Sequence, residues 1–283
     1  MRHNANVPVL SQGCIITAML APFDLLMSSG FLCFSSHAGF LRALEATGEK
    51  PSGYVGTSSG SLAAAFSAAG LNAEEVKQEL GGQRPISLVR PSSRPWAGPV
   101  SSRALVRKLR TVLPETFDEL PTPLAVGVYA TAPSSRARTP MLVTSGALPE
   151  AVAASCAVPG IFRPLRLATC EGVAIGSDGA AYELGESTAP LLRSYADGGA
   201  VDRTMYAAWS KWRPERSALV HLVSDLPAGE FGPRDGLGAD SSVSGIVRTL
   251  RAKASFFSLR DYDAQVDAAA QAAAMQLEGI LAS

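Results

Sequence analysis

Tyr54-Val55-Gly56-Thr57-Ser58-Ser59-Gly60-Ser61 is the stretch of the sequence that decides the fold. Its first four residues are typical of a short strand, and the small-residue segment from Leu62 to Ala69 is typical of a helix that Gly70 can end. No loop separates the two, so the chain must reverse direction within the serines. A strand joined to a helix in this way is one unit of an α/β fold.

The segment before this unit predicts another strand and helix. The apolar run from Phe23 to Met27 indicates a buried first strand, which ends at the turn formers around Gly30. Ser35 or Ser36 is expected to cap a helix, and Gly48 is placed to end it.

The segments after the unit continue the alternation. Asn72 and Glu75 have the spacing of a capping box for a helix that ends near Leu80. Further strands are predicted at 124–129, 141–144 and 218–223, weak strands within 166–195, and helices at 149–156 and 243–260. This alternation predicts an α/β protein with a mainly parallel central sheet covered by helices on both faces, a three-layer α/β/α fold. We expect one domain over residues 23–283, with residues 1–22 as a leader to which no role is assigned.

Composition excludes several classes of protein. Of 283 residues, 47% are hydrophobic and 18% charged, so the chain can bury a sizeable core and is not a disordered tail. Twenty-five basic residues balance twenty-five acidic ones, whereas a general nucleic-acid-binding protein is usually basic. The longest apolar run ends at Asp24 and is too short to span a membrane. A cytoplasmic or peripheral membrane location is favoured, and the leader is also compatible with an organelle-targeted or secreted protein.

Four scattered cysteines indicate neither a zinc site nor a disulfide framework, so we expect reduced, packed thiols and no metal or organic cofactor. They are Cys14, Cys33, Cys156 and Cys170.

The segment from Leu80 to Pro114 carries seven basic residues and no acidic one. The seven are Arg84, Arg90, Arg94, Arg103, Arg107, Lys108 and Arg110. Such a block can lie on an anionic lipid surface, or it can be a solvated helix face beside a loop. Residues 81–100 are interpreted as a surface excursion that is a candidate lid.

Gly56-Thr57-Ser58-Ser59-Gly60 fits the pattern G-x-S-x-G between a strand and a helix, which is the setting of a nucleophile elbow. The turn requires flanking positions nearly free of side chain and holds the Ser58 hydroxyl at its tip. The alternative is a structural turn of small residues.

A nucleophilic serine needs a base, and the sequence offers three histidines and one well-placed carboxylate. His3 lies in the leader, His37 opens a helix, and His221 lies within a predicted strand, where a buried core histidine is the simpler interpretation. Asp197 lies on a Tyr-Ala-Asp-Gly-Gly turn, where glycines allow the backbone to approach another element closely. A triad of Ser58, Asp197 and His221 stays open as an esterase alternative.

Four segments in sequence order together resemble the patatin-like phospholipases. They are Ser36-His37-Ala38-Gly39-Phe40-Leu41-Arg42-Ala43-Leu44, the elbow with its small-residue helix, Ala153-Ala154-Ser155-Cys156-Ala157-Val158-Pro159-Gly160-Ile161-Phe162, and Tyr195-Ala196-Asp197-Gly198-Gly199. The resemblance covers roughly residues 24–203. It implies a patatin-like fold and a lipid acyl hydrolase with a Ser58–Asp197 dyad, no histidine in the mechanism, and a lipid or membrane-surface substrate.

The chain departs from the family in the oxyanion loop. The family loop is G-G-G-x-[KR]-G, whereas this chain reads Ser29-Gly30-Phe31-Leu32-Cys33-Phe34. By the resemblance, the main-chain N–H groups of Gly30, Phe31 and Leu32 form the oxyanion hole. Phe31 would be strained if the loop requires positive φ there. A catalytically weakened patatin-fold protein that binds lipid is therefore the second hypothesis.

Overall fold

A computed structural model describes residues 21–131, 138–167, 171–176, 180–184, 194–224, 237 and 242–282. The helices in this part of the chain are α1 Phe34–Thr47, α2 Ser59–Ala68, α3 Ala73–Gly81, α4 Arg103–Leu109, α5 Leu148–Ser155, α6 Tyr206–Trp212 and α7 Tyr262–Leu281. The strands are β1 Phe23–Met27, β2 Gly53–Thr57, β3 Arg90–Pro91, β4 Val100–Ser101, β5 Leu124–Thr131, β6 Arg138–Val143, β7 Gly172–Ile175, β8 Ala181–Leu184, β9 Ser194–Asp197, β10 Ser217–Val223 and β11 Val243–Thr249.

One mixed sheet forms the centre of the described structure. Its strand order is β11-β10-β1-β2-β5-β6-β7-β8, with β9 also paired to β5. The strands from β11 to β5 run parallel, and β6, β7, β8 and β9 join by antiparallel pairing. The parallel strands end at one edge of the sheet, which is where α/β proteins place their sites.

Helices cover both faces of this sheet, so the predicted three-layer α/β/α fold is confirmed. Successive residues of β1 point to opposite faces because the side chains of a strand alternate. Leu25 and Met27 pack with α1, α2, α5 and α7, whereas Leu26 packs with Trp209 of α6. The short β3–β4 hairpin and two 3₁₀ turns, Pro85–Leu88 and Pro95–Ala97, form the surface excursion predicted at 81–100.

Two predictions about helices were wrong. The first, α1, begins at Phe34 without any side-chain cap, because the turn before it already leads into the helix, and Ser35 and Ser36 are buried in its first turn. The second, predicted over 243–260, is instead strand β11 followed by irregular chain, and one helix, α7, ends the described chain. The β-branched residues of 243–249 extend the sheet by pairing parallel with β10, which outweighs their helix-like spacing.

Other sequence expectations agree with the structure. The capping box of Asn72 and Glu75 starts α3, and Gly48 ends α1 in the left-handed conformation. Cys33 and Cys156 are free thiols, while Cys14, Cys170 and most of the predicted leader lie outside the described residues. No helix in the described ranges is long and apolar enough to cross a membrane.

Helices α1 and α7 pack so closely that one position accepts no side chain. A Cβ atom at Gly39 would overlap the carbonyl oxygen of Val266 and the Cβ of Ala269. Gly279, near the end of α7, faces open space, where an added methyl group would meet nothing. The same substitution at these two helical glycines therefore compares a tightly packed position with an open one.

We expect Gly39→Ala to lower the free energy of unfolding by about 1–3 kcal/mol, because the helices must move apart to admit the methyl group. Gly279→Ala is expected to be neutral or slightly stabilising, because alanine is the better helix former. Urea unfolding of both variants measures the difference. Equal stabilities for the two variants would contradict the close packing of α1 on α7.

Candidate active site

Ser58 lies at the junction of β2 and α2 in a backbone conformation that few residues adopt. Its φ is 54° and its ψ is −123°. A Cβ atom at Gly56 would overlap Gly60 and Ser61, and one at Gly60 would overlap the carbonyl oxygens of Met27 and Ser28. The requirement for small flanking residues, predicted from the elbow pattern, is therefore confirmed.

Hydrogen bonds hold this strained turn in place. The Ser58 N–H donates to Ser155 Oγ at 2.8 Å, and the Ser155 hydroxyl donates in turn to the carbonyl of Gly127 at 2.6 Å. The Ser61 hydroxyl donates to the Ser58 carbonyl at 2.7 Å. The main chain of Ser58 is thus tied to β5 and α5 as well as to its own helix.

Asp197 ends β9, which pairs with β5, and its carboxylate faces the Ser58 hydroxyl. Ser58 Oγ donates to Asp197 Oδ2 at 2.8 Å, and the N–H of Gly199 donates to Oδ1 at 2.8 Å. A Cβ atom at Gly199 would overlap the side chain of Ser29, which confirms the close approach predicted for the Asp-Gly-Gly turn. Burial raises the pKa of Asp197 to about 6, and the hydrogen bonds from Ser58 and Gly199 oppose that rise.

The loop from Gly30 to Cys33 passes beside Ser58 as a tight turn. The Cys33 N–H donates to the Gly30 carbonyl at 3.2 Å, and Leu32 has a φ of 55°. The positive φ that the sequence placed at Phe31 therefore falls on Leu32, at a cost of about 1–2 kcal/mol for a residue with a side chain. Within the described residues, the N–H groups of Gly30, Phe31 and Leu32 donate to no main-chain carbonyl.

Two cavities reach Ser58 within the part of the chain that the structure describes. The polar cavity has a volume of about 430 Å³ and is lined by Asp197, Arg203 and Arg251. The apolar groove has a volume of about 80 Å³, and its lining includes Leu62, Leu88, Leu105 and Phe162. Phe31 and Val158 line both spaces, so the two meet at Ser58.

The histidines contact neither Ser58 nor Asp197 among the described hydrogen bonds. His221 lies in the middle of β10, fully buried, and its two ring nitrogens contact His37 Nδ1 at 3.0 Å and Thr249 Oγ1 at 2.8 Å. Its interpretation as a buried core histidine is confirmed. His3 lies outside the described residues.

The sequence matches the family model for the patatin-like phospholipases over residues 25–208. The chain belongs to the patatin-like phospholipase family. Members of this family are lipid ester hydrolases, so membership supports lipid acyl hydrolysis as the general activity.

The same fold also occurs among solved structures. VipD from Legionella pneumophila is similar with a TM-score of 0.50 and 14% identity, over 92% of this chain and 67% of that chain. At that identity the similarity shows the fold alone. A comparison with curated proteins finds no match.

Several residues around this patatin-like site had no sequence signal of their own. Ser155 lies in a segment that resembles the family, but nothing in its spacing indicated that it holds the Ser58 N–H. Arg203 follows the Asp-Gly-Gly turn, and its side chain donates to the carbonyls of Ser29 and Val223. Cys156 contacts the Ser58 carbonyl at 3.4 Å, and burial raises its pKa to about 12, so it stays a neutral thiol.

The raised pKa of Asp197 predicts a pH-dependent contribution to stability. The folded protein holds a proton up to pH of about 6, whereas the unfolded chain releases it at about 3.8. The stabilisation is therefore fully present below pH 3.8 and is lost as the pH rises through 6, an effect of about 3 kcal/mol.

Asp197→Asn removes this titration. Relative to this variant, we expect the wild type to lose about 2.5 kcal/mol of unfolding free energy between pH 4 and pH 7, as measured by urea unfolding at both values. A constant difference between the two proteins would contradict the buried position of the carboxylate.

Proposed function

We propose that the chain is a serine lipid acyl hydrolase of the phospholipase A, galactolipase or acylglycerol lipase type, which works through a Ser58–Asp197 dyad. The observation that carries the proposal is the hydrogen bond of 2.8 Å from Ser58 Oγ to Asp197 Oδ2. A carboxylate in that position can take the hydroxyl proton as Oγ attacks an ester carbonyl carbon.

The reaction then proceeds in two halves. In the first, the tetrahedral oxyanion accepts hydrogen bonds from the N–H groups of the Gly30–Leu32 loop, and the leaving alcohol takes the proton from Asp197. An acyl-enzyme on Ser58 results. In the second half, Asp197 takes a proton from water, the hydroxide oxygen attacks the acyl carbon, and Ser58 regains its proton. An alcohol in place of water would give acyl transfer by the same steps.

The elevated pKa of Asp197 suits this role. A buried carboxylate with a pKa of about 6 is a stronger base than an exposed one, yet it is still ionised at neutral pH. The Ser-Asp-His alternative lacks a comparable observation, because both ring nitrogens of His221 have partners away from Ser58.

The two cavities suit a substrate with one apolar and one polar part. The apolar groove fits an acyl chain, and the polar cavity fits the alcohol part of the ester. Arg203 and Arg251 in the polar cavity favour an anionic or strongly polar head group.

The second candidate function is a patatin-fold lipid-binding protein with weakened catalysis. The observation that favours it is the side chain of Phe31, which lines both spaces at Ser58 at a position where the family loop has a glycine. Labelling of the serine by a fluorophosphonate distinguishes the two candidates without knowledge of the natural substrate.

We expect a fluorophosphonate probe to label the wild type and not Ser58→Ala. Hydrolysis of a short-chain p-nitrophenyl ester is expected to fall at least about a hundredfold in Asp197→Asn, because the base is lost while the shape is kept. In the wild type, kcat/KM should rise about tenfold per pH unit up to pH of about 6 and level off above it.

Near wild-type rates for Asp197→Asn would contradict the dyad. An unlabelled wild-type protein with normal unfolding would instead support the lipid-binding candidate.

We further propose that an anionic lipid surface meets the protein beside the apolar groove. The mouth surface consists of the exposed side chains of Ile86, Trp96 and Phe257 together with those of Arg84, Arg90 and Arg94. This surface borders the groove. The Ile86 N–H donates to the carbonyl of Phe256, which lines the groove, and Arg84 and Arg90 are adjacent in sequence to the lining residues Pro85 and Val89. Exposed aromatic side chains flanked by arginines are the chemistry of an anionic interface.

Only part of the predicted basic block belongs to this surface. Lys108 pairs with Glu79 at 2.8 Å and Arg110 with Glu150 at 2.6 Å, so acidic residues distant in sequence neutralise two of the four basic residues at the helical end of the block. The arginines of the excursion from 84 to 94 are exposed.

Phe257→Ser is expected to weaken sedimentation with phosphatidylglycerol-containing vesicles about tenfold and to leave short-chain ester hydrolysis unchanged, because one aromatic side chain no longer enters the interface. Met275→Ser is the matched control: Met275 is 65% exposed on α7, against 71% for Phe257, and lines neither space at Ser58.

Wild-type vesicle binding should fall with added salt and rise with anionic lipid content. Equal losses in the two variants, or binding indifferent to salt, would contradict the mouth surface.

A further inference from the structure

A chain of hydrogen bonds runs through the core behind Ser58 and ends on the oxyanion loop. It joins Thr249 of β11, His221 of β10, His37 of α1 and Ser59 of α2 to the carbonyl of Gly30. The contacts are 2.8 Å from Thr249 Oγ1 to His221 Nε2, 3.0 Å between the two Nδ1 atoms, 3.1 Å from His37 Nε2 to Ser59 Oγ, and 2.5 Å from Ser59 Oγ to the Gly30 oxygen. The five residues belong to four neighbouring elements and the loop.

The Gly30 carbonyl, at the end of this chain of hydrogen bonds, determines which atom donates in every bond. A carbonyl oxygen can only accept, so the Ser59 hydroxyl donates to Gly30, and Ser59 Oγ must accept from His37 Nε2–H. His37 Nδ1 is then an acceptor, which makes His221 Nδ1 the donor between the two rings. His221 Nε2 is left as an acceptor for the hydroxyl of Thr249.

Both imidazoles must be neutral for this arrangement, and their surroundings favour it. Burial, together with the charge of Arg203, lowers the pKa of His37 to about 3, although a hydrogen bond to the main chain of Ser28 opposes this change. Burial and the neighbouring His37 lower the pKa of His221 well below its usual value. Phe40 stacks on the His221 ring at 4.2 Å and restricts its rotation.

The Gly30 carbonyl therefore has two donors, the Ser59 hydroxyl and the Cys33 N–H. The described chain has no cis peptide bond, so the N–H of Phe31 points opposite to that carbonyl across the same peptide plane. Holding the carbonyl toward α2 keeps the Phe31 N–H turned away from Ser59. Gly30, Phe31 and Ser58 all line the polar cavity.

We propose that Ser59, His37, His221 and Thr249 are positioning residues that lock the Gly30–Phe31 peptide in the orientation in which the Phe31 N–H can stabilise an oxyanion. The inference rests on the proposed function, because it concerns the transition state of that reaction. In this chain these positioning residues hold a loop that has a single glycine between Ser29 and Phe34.

The first test is the tautomer of each ring, observed by ¹⁵N NMR of the histidine side chains in the wild-type protein. Neutral His37 protonated on Nε2 and neutral His221 protonated on Nδ1 are expected. Any other pair of tautomers overturns the inference, whether or not the protein is an active hydrolase.

The second test separates transition-state from ground-state binding. In Ser59→Ala we expect kcat for a short-chain ester to fall about ten- to a hundredfold with KM within twofold, since the Cys33 N–H still holds the carbonyl. A trifluoromethyl ketone, which forms an oxyanion on Ser58, should bind more weakly by a similar factor. An ether analogue of the ester, which forms none, should bind as to the wild type.

Thr249 supplies a matched pair at the far end of the chain. Thr249→Val removes the hydroxyl at similar volume and is expected to lower kcat several-fold, while Thr249→Ser keeps the hydroxyl and should restore it. Unchanged kcat in Ser59→Ala, or equal rates for the two Thr249 variants, overturns the positioning role in an active enzyme. Absence of ester hydrolysis in the wild type would refute the proposed function instead, and the tautomers would still decide the hydrogen-bond directions.

Discussion

The contact between Gly60 and the end of β1 brings the parts of the site together. The first turn of α2 lies against the carbonyls of Met27 and Ser28, so close that no side chain fits at Gly60. That contact places the loop after β1 beside the serine after β2. The positive φ of Ser58 is tolerated because Ser155 and Ser61 hold the main chain on either side of it. This contact and the hydrogen bond from Ser59 to the Gly30 carbonyl together fix the loop relative to the nucleophile.

The histidines and hydroxyl groups behind this contact are buried and neutral, whereas Asp197 is a buried carboxylate. Neutral hydrogen-bonded groups can be buried at modest cost, whereas an ionised carboxylate loses hydration that two hydrogen bonds replace only in part. Asp24, fully buried on β1, carries electrostatic strain as well. The strain at Asp197 differs because it lies beside Ser58. Such strain is typical of groups that exchange protons in a reaction, and it sits one hydrogen bond away from the most strained serine in the described chain.

Local features of this fold could be predicted from the sequence, whereas contacts between distant segments could not. The elbow, the capping box of α3 and the close approach at the Asp-Gly-Gly turn follow from short-range sterics and hydrogen bonding. The pairing of Lys108 with Glu79 and the contact of His37 with His221 depend on how elements pack, which no local pattern encodes. β11 was wrongly predicted to be a helix, because the spacing of its apolar residues fits both the helical period and the strand period. Parallel pairing with the edge of β10 makes this segment a strand. In the oxyanion loop, composition indicated strain, but only the turn geometry assigned it to Leu32.

The junction of the two cavities at Ser58 has a stereochemical consequence. The groove and the polar cavity continue from the serine along different residues, so an ester that fills both has its acyl and alcohol arms assigned in advance. With both arms fixed and the hydroxyl approaching from one side, only one of the two enantiotopic faces of the carbonyl carbon is open to attack. On the proposed function, mirror-image glycerol esters therefore fit the two cavities unequally.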